Sequence, residues 1–389
     1  MKHFDYIFTG SGLSALMTVY EMILSNKFKD KTILLLDENG KKSNDRTWCF
    51  WDDSNLFEDI VSKKWKTALF ADQNFHRNLD LNRYQYKMIR GLDFYNLVFD
   101  LIYKQDNIHF LNQKVIDFKE LGNQCTVKTN SESYTCNKIF NSILHLDLVK
   151  NQKKYPLLQQ HFIGWFIISK EEVFNPDVAT FMDFSVEQKG NTRFMYVLPT
   201  SKTEALLEYT LFSKDLLSRD EYESEIETYI KNLGITDYKI IEKEHGNIPM
   251  TSYKFWGNNT KNIVNIGSTG GWTKASTGFT FKNVTKKSKE LVSFLEYDTS
   301  TALSETKTQY DFTKFRKKDK FWLYDLLFID VLYKNNELGA KVFSSLFKKG
   351  NPTLIFRFLD EETSFFEDLK VMLKCPTIPF AKAFFKRLF

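Results

Sequence analysis

Cysteine and histidine are scarce in this 389-residue chain. The four cysteines stand at 49, 125, 136 and 375, no two in C-x-x-C spacing, and only 6 histidines are present. That excludes a zinc pattern or a disulfide scaffold, and no metal is expected. The cysteines read as small buried hydrophobes in a reducing compartment. No run of about 18 apolar residues occurs, so no transmembrane helix is expected. The opening MKHFDYIFTGSG carries no signal-peptide cleavage region. Charge of one sign is also missing: 54 basic against 49 acidic residues leaves +5, too little and too dispersed for a nucleic-acid footprint. It leaves a weak attraction to anionic lipid headgroups. With 42% hydrophobic and 26% charged residues, disorder, collagen and coiled coil are excluded as the main state. What the chain has in excess is aromatic: 37 Phe, 18 Tyr and 7 Trp. That points to apolar cavities or a membrane face as well as a core.

The first forty residues are the most informative. An apolar run, Tyr6-Ile7-Phe8, meets Gly10-Ser11-Gly12-Leu13-Ser14-Ala15; helical apolar spacing follows over Leu16 to Leu24. Thr32 to Leu36 is a second buried strand, closed by Asp37. This is the G-x-G-x-x-A dinucleotide fingerprint: Gly10 for the tight turn, Gly12 for close approach of a pyrophosphate, small Ala15 for helix packing. The helix N-terminus stabilises the phosphate charge, and Asp37 stands where a carboxylate accepts from a ribose hydroxyl. A fingerprint this early suits a flavoprotein that begins with its ADP-binding strand, so FAD is favoured over NAD. A second strand, Ile263 to Ile266, runs into Gly267, Gly270, Gly271, Thr277 and Gly278, a segment fit to contact a flavin.

The remaining patterns predict strands mixed with a helix near 92–103, an antiparallel meander over 160–212, an amphipathic helix over 219–233, and mostly helix from 281 onward. No repeat or low-complexity linker separates these parts, so the domains are expected to interleave.

Several segments resemble one family. GSGLSA at 10–15, DRTWCFW at 45–51, QQHFIGW at 159–165, YVLPTS at 196–201, LLEYTLFS at 206–213, EHGNIPM at 244–250 and GSTGGWTKASTGFTF at 267–281 resemble, in order, the flavin-dependent bacterial lycopene cyclases; FRFLDEET at 356–363 looks like the family as well. The resemblance implies an α/β fold: a Rossmann-like FAD-binding domain of glutathione-reductase type, an interleaved antiparallel-sheet substrate domain and a helical C-terminal part. The expected division is a discontinuous cofactor domain at 1–150 and 240–290, a substrate domain at 150–240, and a helical region with a membrane-contact face at 290–389. The family's acidic motif falls on Leu207-Glu208-Tyr209-Thr210, with Tyr209 where some members have a second Glu. Gly267 is followed by Ser268 rather than the Asp of flavin hydroxylases, which argues against a hydroxylase.

The implied activity is lycopene β-cyclisation to γ-carotene and β-carotene, a non-redox isomerisation using reduced FAD, with NAD(P)H as reductant. A carboxyl group serves as the acid only where an apolar setting keeps it protonated. Glu208, between Leu207 and Tyr209, has such a setting; Glu244, in the charged run Glu242-Lys243-Glu244-His245, is the second candidate. Whether Glu208 or the flavin delivers the proton stays open. Arg46 is a candidate at the flavin. Trp48, Trp51, Trp165 and Trp272 are candidates to line a tunnel and stabilise a cation. The alternatives are a redox flavoenzyme on an isoprenoid or other apolar substrate, separated by product mass, and a non-enzymatic carrier of FAD or carotenoid. Because a carotenoid resides in the bilayer, attachment to the cytoplasmic face of the membrane is expected. The amphipathic segment 380–389 is the candidate contact. The sequence leaves oligomeric state and ring type open.

Overall fold

The computed structural model describes residues 1–144, 146–300, 311–316 and 319–388. The apolar run at the start forms strand Lys2–Thr9, buried over Tyr6 to Phe8. It pairs in parallel with Ile33–Asp37 on one side and Ser133–Asn141 on the other. Ile108–Asn112 extends the sheet beyond Ile33–Asp37. The first half of Ser133–Asn141 continues the sheet as an antiparallel meander through Gln124–Thr129 and Val115–Leu121. Its second half pairs in parallel with the short strand Ile263–Asn265. Lys2–Thr9 therefore lies where the strand order turns back, and the crevice beyond its carboxyl end is the natural ligand position in such a sheet. Helix Leu13–Ser25 begins at that crevice.

The predicted meander is the centre of a seven-stranded sheet in the order Tyr238–Met250, Leu158–Ser169, Glu204–Ser213, Thr192–Pro199, Val178–Asp183, Thr67–Asp72, Phe75–Asp80. Two parts come from outside the span expected for this sheet. Thr67–Asp72 pairs in parallel with Val178–Asp183, and Tyr238–Met250 runs along Leu158–Ser169 as an edge. Both are long-range pairings that local patterning does not carry. The sheet is covered on both faces, so its inner strands are buried along most of their length rather than on alternate residues; all eight residues of Thr192–Pro199 are buried. A three-stranded sheet, in the order Thr47–Asp52, Gln85–Arg90, Val61–Trp65, forms from the chain between Ile33–Asp37 and Ile108–Asn112.

The predicted helices fall at Gly91–Ile102 and at Arg219–Asn232, the latter capped by Ser218. Six more follow: Phe281–Ser300, Lys320–Lys334, Leu338–Lys349, Pro352–Leu359, Phe365–Met372 and Thr377–Leu388. The parts of the helical reading at 301–310, 317–318 and 389 lie outside the described residues. Among the described residues no helix is long and apolar enough to cross a membrane.

Candidate active site

Gly10 leaves its strand at φ 106°, and a Cβ there would overlap the Ser142 hydroxyl, so this turn requires glycine. Gly12 precedes helix Leu13–Ser25 with no side-chain cap, and a Cβ placed on it meets nothing within 4 Å. The unpaired N–H groups of the first turn are thus uncovered toward a cavity of about 380 Å³. Ala15 is fully buried behind them. Asp37 is already engaged. Its Oδ2 accepts from the Ser11 amide at 2.7 Å and the Ser11 hydroxyl at 2.9 Å, and Lys41 Nζ lies 3.5 Å away. Asp37 therefore shapes the glycine turn itself. Lys41, which the sequence reading passed over, lines the cavity. Arg46 lines it too, its Nη1 donating to the carbonyls of Asp45 at 2.5 Å and His245 at 3.3 Å.

The second glycine segment closes the cavity from the other side. Gly267–Gly270 is a single tight turn. A Cβ on Gly267, at φ 63°, would stand 2.5 Å from Ser14 Oγ, so the turn presses on the first turn of the fingerprint helix. Gly270 and Gly271 complete this turn, and Gly278 lines the cavity with Ser268. Gln160 Oε1, Thr269 Oγ1 and Thr277 Oγ1 are buried here with no hydrogen-bond partner. Polar atoms left unsatisfied in a protein interior cost free energy unless something meets them. With the bare helix N-terminus at Gly12, they fit a dinucleotide cofactor, whose phosphates that N-terminus would hold and whose polar groups Gln160 would meet. The fit is good for FAD.

At the far end of the same cavity the antiparallel sheet presents two acids. Glu208 pairs across the sheet with Gly164, and Gly164 with Glu244. Residues directly opposite share a face, so both carboxyl groups point into the cavity with a glycine between them. A Cβ on Gly164 would stand 2.9 Å from Leu206 Cδ1, 3.2 Å from Glu244 Cγ and 3.4 Å from Glu208 Cβ. Glu208 Oε1 accepts from Thr210 Oγ1 at 2.6 Å. Glu244 Oε2 accepts from Thr47 Oγ1 at 2.7 Å. Burial holds Glu208 above the usual carboxylate range, the Glu244 charge adds to this, and the Thr210 hydrogen bond opposes it. Burial raises Glu244 as well, opposed by the Thr47 hydrogen bond and the charges of Arg90 and Arg46. Each acid is thus biased toward its protonated form, the state a general acid needs. The walls around them are Tyr196, Tyr86, Phe162, Phe279 and Phe281. Two of these carry a signal that register alone reveals: Tyr196 lies opposite Glu208, and Phe162 lies one same-face step from Gly164.

The tryptophans divide. Trp48 lines the cavity. Trp165 does not: next to Gly164 on its strand, it faces the opposite side and packs in the cluster under helix Arg219–Asn232. Trp51, three residues from Trp48, is likewise turned away, its indole N–H donating to Asp360 Oδ2 at 2.7 Å. Trp272 is buried beside Gly270 in the core behind the cofactor turn. Tyr209 also faces away, its hydroxyl accepting from Arg193 Nη1 at 3.2 Å. A second Glu at 209 would therefore not reach this cavity. Here the paired carboxyl comes from Tyr238–Met250, two strands away across Leu158–Ser169.

No curated protein matches the chain. Solved structures that cover it almost fully share its fold. They include a geranylgeranyl bacteriochlorophyll reductase-like protein from Thermoplasma acidophilum (10% identity, 98% of each chain, TM-score 0.61). The flavin-dependent brominase Bmp2 matches at 11% identity over 99% of each chain, TM-score 0.61. The halogenase PltM, solved as its L111Y variant with FAD, matches at 9% identity over 94% of this chain and 83% of its own, TM-score 0.58. The architecture is thus that of Rossmann-like flavoproteins. The family model for lycopene cyclase protein matches residues 5–384, and the chain belongs to that family.

Proposed function

We propose that this protein is a lycopene β-cyclase that binds FAD and isomerises the acyclic ends of lycopene to β-rings. The observation that carries the reading is the pair Glu208 and Glu244, one half-buried and one buried carboxyl group facing one aromatic cavity that opens onto a bare dinucleotide-binding turn. The net reaction needs one proton added and one removed. Protonated Glu208 gives its carboxyl proton to the terminal double bond; a tertiary carbocation forms, the internal alkene attacks it, and a ring proton passes to the Glu208 carboxylate, which restores the acid. The proton count balances, so product and substrate have the same mass. Glu244 is the second acid–base group, within reach of the same end group across Gly164. Trp48, Tyr196 and Phe281 offer ring faces to the cation.

FAD would be held by the Gly10–Gly12 turn, Ala15, Asp37, Arg46 and the Gly267–Gly271 and Thr277–Gly278 segments. When bound and reduced, by NAD(P)H, it supplies an electron-rich ring system beside the forming cation. In this reading the parallel-sheet part serves the cofactor, the antiparallel sheet serves the carotenoid, and the protein attaches peripherally to the inner face of the cell membrane.

The test is product analysis. Purified protein, FAD, NADPH and lycopene in liposomes are incubated without oxygen and separated with mass detection. The expected product is isomeric with lycopene, absorbs at shorter wavelength and is identified by retention time. A product two hydrogens heavier, or carrying oxygen, would replace the reading with a redox enzyme on an apolar substrate.

A further inference from the structure

Exposed phenylalanine, among the described residues, is confined to one stretch of the chain. Eight of the twenty-one large apolar side chains exposed among the described residues fall within 365–388, and every exposed phenylalanine among them is there. Helix Phe365–Met372 turns Asp368 and Val371 inward. Its outer stripe is Phe365, Phe366 (75% exposed) and Leu369, continued by Leu373 (71%). Helix Thr377–Leu388 buries only Ala383. Its outer stripe runs Ile378 (68%), Phe385 and Leu388. A helix of a water-facing surface does the reverse, burying its apolar stripe and showing its polar one. This last helix is held by its polar residue instead: Arg387 makes two 2.6 Å bonds to the Asp330 carboxylate and donates to the Lys154 carbonyl at 2.6 Å.

The charges are sorted as well. Both acids within 365–388 are consumed by the body of the protein. Glu367 pairs with Arg357 at 2.6 Å and closes the Ser364 capping box. Asp368 is fully buried against Lys320, Thr363 and Tyr324. The lysines at 370, 374, 382 and 386 all stand exposed. The outward surface of 365–388 is therefore aromatic and aliphatic, and its unpaired charges are lysines. That combination matches a bilayer interface bearing anionic headgroups, where apolar side chains enter the acyl boundary and lysines remain at the phosphates.

We infer that helices Phe365–Met372 and Thr377–Leu388 together form the surface by which this protein docks on an anionic lipid bilayer, with Phe366, Leu373, Ile378 and Phe385 inserted. This names the surface behind the membrane attachment in the proposed function, and it extends the contact expected for 380–389 to a second helix. The test keeps the two claims apart because it uses vesicles without carotenoid. FAD-loaded full-length protein is sedimented with vesicles of phosphatidylcholine alone or with 30% phosphatidylglycerol (an on-the-order-of choice that gives a negative surface). Expected are tighter binding to the anionic vesicles, weakening with salt, and an at least tenfold loss for F366E/L373E and, separately, for I378E/F385E. These positions are exposed, so flavin content and melting temperature are expected to stay unchanged. Failure of the wild type to bind, or full binding by the F366E/L373E variant, would overturn the two-helix surface. So would a dimer in light scattering that the same substitutions dissociate, since the patch would then be a subunit interface. Lost vesicle binding with cyclisation retained on detergent-solubilised lycopene supports the surface and leaves the catalytic reading standing.

Discussion

Adjacent residues of strand Glu204–Ser213 do opposite things. On the face toward the cavity, Glu208 is half-buried with Thr210 as its close polar neighbour, and loss of hydration there keeps its proton on. On the face toward helix Arg219–Asn232, Arg193 Nη1 donates to Tyr209 at 3.2 Å and pairs with Glu221 at 3.0 Å. His161 there bridges Ser213 at 2.6 Å and the Tyr222 hydroxyl. Burial pushes His161 down to about 4, so it stays neutral as a spacer in that network. Groups that satisfy one another hold the sheet to its helix. Acids denied a full ionic partner at the edge of a cavity keep a proton to give. The lesson is that burial alone does not mark a working acid; what matters is whether its partners are built in or still to come.

The largest effect expected from breaking this contrast is at Glu208. Replacing it by Gln should cut β-ring formation about 10³-fold, within the range for loss of a general acid, with FAD retained. Tyr209→Phe should leave turnover within about twofold, since losing its hydrogen bond costs only about 1 kcal/mol of stability. Equal losses from the two changes would end the assignment. Next is Gly164→Val, which fills the gap between the acids. Displacing either carboxyl by about 1 Å costs on the order of 10²-fold in kcat, whereas Trp165→Phe, one residue along on the other face, should leave kcat alone.

The pH dependence sharpens the same contrast. Glu208 is raised in the folded protein, so its favourable contribution to stability is complete below the unfolded value of about 4.3 and is lost as pH rises through its folded value. Cyclisation should fall over the same rise. In E208Q the stability profile should flatten across that window; an unchanged profile would show that another group titrates. The smallest effect is Tyr222→Phe on the packed face: a melting point lower by about 2–4 °C, with product and pH profile unaltered.

Much of this was legible locally. The Gly10–Ala15 turn, the strand closing on Asp37, the glycines from 267 to 278 and the apolar neighbours of Glu208 all lie within a few residues of what gives them meaning. What was not legible depends on which strand lies next to which. Glu244 sits in a charged run that reads as solvated, yet Tyr238–Met250 has Thr47 reaching over it and Arg90 paired to Glu242 from the small sheet. Trp48 and Trp51 are three apart on a strand, so they must face opposite sides, but no local pattern says which side holds the cavity. Gly164 looks like a strand-weakening residue until the row Glu208, Gly164, Glu244 is known.

The cofactor turn carries a debt to the far end of the chain. Lys274, 3% exposed, places its Nζ 3.0 Å from Asp325 and 3.3 Å from Glu361. A buried ammonium without its carboxylates is strongly unfavourable. A nascent chain therefore emerges from the ribosome with the Gly267–Gly278 segment unable to settle until residues as far on as 361 have been translated and docked. A protein truncated before Glu361 should accumulate with its first sheet formed and its flavin turn open, a target for proteolysis at that turn.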